Sequence, residues 1–365
     1  MIVGGLRAQE PAGRAALDAL RDSLARATDT LTLKKLEAAT IEVAKQRRED
    51  PLVHLRLGWI AYRLGELAGK PHFEEAAGEF EWAAELRPGW PYPWYGDGLA
   101  ELALGEHSVI GIENLRQLLR KDYLSKAARA FARAVEVDPS FAQATVDLAN
   151  TALAQRIGPR LDLAVRAVRE AAASEAGRAP DVQLARGRVE RAVGNPDSAL
   201  AALQTYLAVG GDSGIGLLEV ARTRYYAGDA IAGSAAYFGG ARASATPAAV
   251  ASYRADIAWI ASAQECADFD ARKDGAERAE WLAAFWQRRD LVEARDPGER
   301  LAEHYRRWFH AERNFRLSSR HRQYDITERY RSDQAEFDDR GVIYLRHGAP
   351  DRHVTYIASD SVEPN

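Results

Sequence analysis

The residues of this chain that could do chemistry gather toward its C-terminal end. His304, His347 and Asp351 could surround a metal. With Asp339 and Arg340 they could serve acid–base catalysis, if the fold brought them into one cleft. The local pattern argues against both. His304 and His310 are six residues apart, which on a helix turns them roughly 120° away from each other. No His-Glu-x-x-His pair occurs. The single cysteine, Cys266, sits beside Glu265 and Asp268, whose charge raises a thiol pKa and blunts it as a nucleophile. Ser318 and Ser319 lie near His321 and Asp325 in sequence, but a triad is assembled by the fold, and no strained strand–turn–helix elbow precedes them. Gly210 to Gly216 looks like a phosphate loop but lacks the preceding strand and the lysine; it reads as a linker. No cofactor and no metal are therefore expected, and an enzyme of unspecified reaction is the alternative reading.

The segment 300–331 holds nine arginines against four acids, interleaved with Tyr305, Trp308, Phe309, Phe315, Tyr324 and Tyr330. Charge with stacking surfaces is the composition of single-strand nucleic-acid grooves. The spacing favours a plainer account. Tyr305, Trp308, Phe309 and Phe315 fall where a helix buries its apolar stripe, leaving Arg306, Arg307 and Arg313 as the wet face. Asp290, Glu303 and Asp339 are available to pair these arginines. A net charge of −4 and a pI near 6.1 add no bulk case for nucleic acid, which stands third among the readings.

The elements that must position these groups read as helices for most of the chain. Ala76, Phe80, Ala83 and Pro88 recur fifty-one residues later as Ala127, Phe131, Ala134 and Pro139. Small residues let two helices approach, the aromatic fills the gap between hairpins, and proline stops the helix. This pattern resembles the second helix of a tetratricopeptide hairpin. Leu57-Gly58 and then Trp94 with Gly98 supply first helices, with extra residues over Gly65 to His72 and a short inserted helix over about 104–122. A third unit over about 142–180 is degenerate. A fourth carries Gly187, Gly194-Asn195-Pro196, Ala199, Leu203 and Tyr206; a fifth carries Ala221, Gly228-Asp229, Gly233, Tyr237 and Gly240. Residues 14–48 read as helix, with Pro51 closing the second helix of an incomplete hairpin.

In that repeat family the first helices line a concave groove. The resemblance places Trp59, Tyr62, Tyr92, Tyr95, Asn150, Arg188, Arg191, Arg222 and Tyr225 along it. An aromatic half followed by an arginine half would suit an extended peptide with apolar anchors and an acidic end. The competing reading has arginines that solvate a helix face and a Trp59 that belongs to the core.

Further on, 281–351 resembles the domain named for a Gly-Trp-x-Thr-Asp motif. The matching residues are Trp281 to Trp286 followed by Arg289-Asp290, His304-Tyr305 within 303–307, Ala311 with Phe315, and Asp339-Arg340-Gly341 through Gly348 to Asp351. The motif itself is replaced by 335–339, where only Asp339 survives. In this region the alternation of Gly341–Arg346 reads as a strand, Gly348–Asp351 as a turn and His353–Ile357 as a second strand, which makes this a small α+β domain. The resemblance also implies a bacterial and frequently exported context.

The chain has 365 residues, enough for two domains, and no apolar run long enough to span a membrane. Its start is too short for the apolar core of a signal peptide, so the sequence as given reads as soluble and cytoplasmic. The expected architecture is mostly α: a disordered start over 1–13, tetratricopeptide-like repeats over 14–245, a connecting helix over 246–280, and the smaller α+β domain over 281–365. The expected function is a non-catalytic scaffold that binds a protein or peptide partner through the repeat groove. The sequence sets no oligomeric state.

Overall fold

The computed structural model describes residues 13–106, 122–156, 158–317 and 336–350. Among them the chain forms seventeen α-helices and one 3-10 turn. The only β pairing among the described residues is an isolated antiparallel bridge between Arg316 and Phe337. Two compact units result, 1–223 and 224–365. Among the described residues no helix is long and apolar enough to cross a membrane.

The first unit opens with α1 (Arg14–Ala25) and α2 (Thr30–Gln46). The helical stretch expected over 14–48 divides at Asp29, which caps α2, its carboxylate accepting from the amides of Leu31 and Thr32. Pro51 opens the next helix where it was expected to close the one before. Asp50 caps the amide of Leu52, and proline at the first helical turn loses no hydrogen bond. Four helical hairpins follow: α3 (Pro51–Ala68) with α4 (Lys70–Leu86), α5 (Pro91–Glu106) with α6 (Tyr123–Val137), α7 (Ala142–Ala154) with α8 (Leu161–Ala172), and α9 (Pro180–Ala192) with α10 (Pro196–Ala208). The expected inserted helix lies outside the described residues over 107–121. The boundary between units falls in the last turn of α11 (Ser213–Tyr226).

The Ala-Phe-Ala pattern does what its spacing demands. Phe80 of α4 is fully buried between Gly58 of α3 and Gly96 of α5. A Cβ on Gly58 would lie 2.5 Å from its ring, and one on Gly96 2.6 Å. Phe131 occupies the same place against Gly98, at 2.4 Å. Only glycine lets the ring sit flat on the backbone there, so each aromatic keys its own hairpin, and Phe80 also keys the next.

The second unit continues with α12 (Ala230–Arg242), α13 (Pro247–Ala258), α14 (Ala263–Asp270), α15 (Gly275–Val292), α16 (Glu299–Asn314) and α17 (Asp339–His347). Its core is aromatic: Tyr237, Tyr253, Trp286 and Tyr305 are buried and meet edge to face. Their polar tips are satisfied, as buried phenols require. Tyr253 Oη donates to the carbonyl of Tyr237 at 2.8 Å, and Tyr305 Oη to buried Asp256 at 2.6 Å.

One correction concerns the expected strand over Gly341–Arg346, which is helix α17. Asp338 accepts from the amide of Gly341 at 3.0 Å and caps it, and Gly341, Val342 and Leu345 share its buried face. A six-residue apolar run does not separate strand from helix by alternation alone. The α+β class therefore does not hold over the described residues, and the second expected strand, His353–Ile357, lies outside them.

Replacing Phe80 with alanine is expected to cost about 3–5 kcal/mol, the range for emptying a full aromatic site. Chemical denaturation followed by circular dichroism measures it; a loss under about 1 kcal/mol would show that the hairpins do not depend on this key.

Candidate functional site

Of the aromatic residues expected along a groove, Trp59, Tyr92 and Tyr95 share one buried core, and the chain's own first helix packs on it. Leu17 and Leu24 of α1 are buried in one core with Trp59, Tyr92 and Tyr95. Between them Arg21 projects over the indole of Trp59, 4.5 Å from the ring centroid, and over Tyr95 at 5.4 Å. Tyr95 Oη donates to Asp147 of α7 at 3.0 Å. Burial, and then the Asp147 charge, push the Tyr95 phenol far up, while burial raises Asp147 despite Tyr95 and Arg21 beside it. Arg63 of α3 fastens the chain beyond α1, donating to the carbonyl of Ala27 through Nε at 3.1 Å and a terminal nitrogen at 2.9 Å. A cleft of about 300 Å³ stays open beside α1, lined by Asp18, Arg21, Asp22, Trp59, Tyr62 and Arg63 among others.

Magnitudes say that this docking is modest. Two buried leucines are worth about 1.5–3 kcal/mol each, and a partly shielded cation–π contact about 0.5–2 kcal/mol. Against them stands the ordering of a helix of 12 residues, a length that is marginal in water by itself. The contributions for and against this docking are of similar size.

The arginine half is differently disposed. Arg188 and Arg191 of α9 and Arg222 of α11 converge on Glu219, whose side chain is only 2% exposed. Arg191 reaches Oε2 at 2.7 Å, while Arg188 and Arg222 each reach Oε1 at 2.9 Å. Burial alone would raise this carboxyl, but the charges of Arg191, Arg222 and Arg188 outweigh it and hold Glu219 far below the usual carboxylate range. The same device recurs at buried Glu190, which Arg169 grips through two nitrogens at 2.7 and 2.8 Å. Each named arginine thus already holds a carboxylate inside the fold.

The remaining groove positions scatter. Tyr92 is buried on Trp90 and Phe141, Asn150 is exposed, and Tyr225 in the second unit stacks on Tyr305 at 4.7 Å. Sequence reasoning missed Arg21, Asp147 and Glu219. The signal for Glu219 was an acid on one first helix facing two arginines on the preceding one.

The C-terminal candidates do not form one cleft among the described residues. His304 is fully buried among the rings of Trp286, Tyr305 and Trp308. Arg340 is exposed on Asp338, His347 is exposed, and Asp351 lies outside the described residues. Trp281 stacks on Phe285, and Arg289 lies over the same Phe285 ring while holding Glu265 at 2.9 and 3.0 Å. Asp290 is a structural cap, accepting from the amides of Gly298 and Arg300 at 2.8 Å each. Gly348 ends α17 with φ of 85°. Arg307, expected on the wet face, is buried: it pairs with Glu303 at 2.7 Å and donates to the carbonyl of Arg346 at 2.9 Å, closing the C-terminal end of α17. Cys266 is buried, and burial raises its thiol pKa.

No protein-family model matches the chain, and no curated protein matches it; the resemblance of 281–351 to the Gly-Trp-x-Thr-Asp domain thus gains no support. Among solved structures the chain is similar to YrrB, a TPR protein with an unusual peptide-binding site (13% identity, 59% of this chain and 98% of that one, TM-score 0.42). It is also similar to a thermophilic TPR protein of Thermus thermophilus (20% identity, 56% and 97%, TM-score 0.36), and to pilF of Pseudomonas aeruginosa (14% identity, 73% and 99%, TM-score 0.39). These scores are low, and the helical-hairpin architecture stands on the packing of Phe80 and Phe131. The first unit is a tetratricopeptide-like helical repeat.

Glu219→Gln is expected to cost about 3 kcal/mol, near the low end for breaking a buried ion pair because the three guanidiniums keep some water. The sign with pH follows from the depressed carboxyl. Wild type keeps this stability above the ordinary value of 4.5 and loses it as pH falls toward the folded-state value. Urea midpoints for both proteins should therefore converge between pH 7 and acid; a gap that stays constant with pH would contradict the assignment.

Proposed function

We propose that this chain is a non-catalytic interaction scaffold whose repeat face, built by Trp59, Tyr62 and Tyr95, binds an amphipathic helical segment of a protein partner. The observation that carries the reading is α1. An apolar stripe with a central arginine already lies on that face, so the face accepts a helix in preference to the extended peptide that the residue types alone suggested. A partner presenting two leucines two turns apart and a basic residue between them would make the same contacts: leucines beside Trp59, and a guanidinium over the indole and close to Asp147. Helix α1 then acts as a competitor in the same chain. The partner's apparent affinity is its intrinsic affinity multiplied by the fraction of molecules in which α1 is released.

A fluorescent peptide of residues 14–27 supplies the probe. In the full chain, Leu24→Asp weakens α1 in place and is expected to let the peptide bind at least about tenfold tighter than to wild type, and Trp59→Ala added to it should remove that binding. Fluorescence anisotropy reads both. A Leu24→Asp protein that stays folded and does not bind the peptide would sink the proposal.

A further inference from the structure

The second hairpin carries carboxylates where its counterpart carries hydrocarbon. Gly58 of α3 and Gly98 of α5 hold equivalent places, each under the aromatic of its own hairpin. Counted from those glycines, Asp97 and Glu101 stand where α3 has Leu57 and Ala61, and both of those are buried. Asp97 is 8% exposed and Glu101 3%. An ionised carboxylate taken out of water costs several kcal/mol unless something of opposite charge meets it.

Among the described residues, Lys126 does so by direct contact and Arg129 by its charge. Lys126 Nζ of α6 reaches Glu101 Oε1 at 2.7 Å. Asp97 Oδ1 and Glu101 Oε2 stay buried with no hydrogen-bond partner. Glu81, exposed on α4, joins them: one oxygen from each of Glu81, Asp97 and Glu101 lies within 4.8 Å of the other two. Two oxygens bound to one calcium ion at about 2.4 Å can be at most about 4.8 Å apart, so the three donors already stand at coordination spacing.

We propose that Glu81, Asp97 and Glu101 form a binding site for a hard divalent cation, Ca²⁺ or Mn²⁺, joining the second helix of one hairpin to the first helix of the next. The donor set is oxygen only, which selects hard cations over zinc or copper. Three carboxylates outnumber the two cations whose charge acts on Glu101, Lys126 and Arg129. Lys126 is the competing cation. Its side chain is 44% exposed and can turn to water when the ion takes Glu101.

The test is calorimetric titration of the chelator-treated full chain with calcium chloride and, separately, manganese chloride. Wild type is expected to bind one ion with a dissociation constant between about 10⁻⁶ and 10⁻³ M. Asp97→Asn should abolish binding. Because Asp97 is buried, Glu81→Gln provides the surface check: about tenfold weaker binding, with an unchanged circular dichroism spectrum. Lys126→Met should bind about tenfold tighter, a result that a purely structural salt bridge would not produce. Absence of heat from either metal at millimolar concentration overturns the proposal, as does binding that survives Asp97→Asn and Glu81→Gln unchanged, or a Lys126→Met chain that binds no better than wild type. A preference for zinc over both probes would overturn the assigned class.

Discussion

Close approach of helices over glycine is the constraint on which the first unit depends. Phe80 lies flat on the backbone at Gly58 and Gly96, and Phe131 does the same at Gly98. These contacts set the spacing of the hairpins, because a side chain on any of the three glycines would drive the ring out of place. Once the spacing is set, the first helices stand side by side and present Trp59, Tyr62 and Tyr95 together. No local sequence feature brings those rings to one place; the keyed hairpins do.

Placing polar groups inside a helical stack demands partners, and four buried carboxylates of this chain have them. Glu219 and Glu190 are buried among arginines, Asp290 is buried against two backbone amides, and Asp256 takes the phenol of Tyr305. In each case a cation or a donor reaches the carboxylate, as burial requires. Asp97 and Glu101 depart from that pattern, since oxygens of both are left without such a partner. Departures of this kind mark functional positions more often than faults of packing.

Helix α1 packs on the core that holds Trp59, Tyr92 and Tyr95. It belongs to the first unit by its buried leucines, yet it contributes no hairpin partner of its own and is held mainly by one stripe and one arginine.

How much of this was legible in the residues can be argued from particular cases. The Ala-Phe-Ala-Pro recurrence determined the hairpins, since close helix packing leaves so few residue types acceptable at those positions. Asp29, Asp50 and the prolines mark helix starts by local hydrogen bonding and φ alone, although Pro51 by itself suggests a stop where it makes a start. Gly341–Arg346 failed as a strand because six residues carry too little periodicity, and its helix is decided by the Asp338 cap and by burial of Val342 and Leu345. Arg188, Arg191 and Arg222 were legible as a set on neighbouring first helices, but their common partner Glu219 was not. Sequence by itself determined the hairpins that carry the Ala-Phe-Ala-Pro pattern, because caps, breakers and small residues act over a few positions. Only the tertiary structure decided that α1 covers the aromatic face and that the arginines point inward, because both depend on which distant surfaces the keyed hairpins bring within a few ångströms.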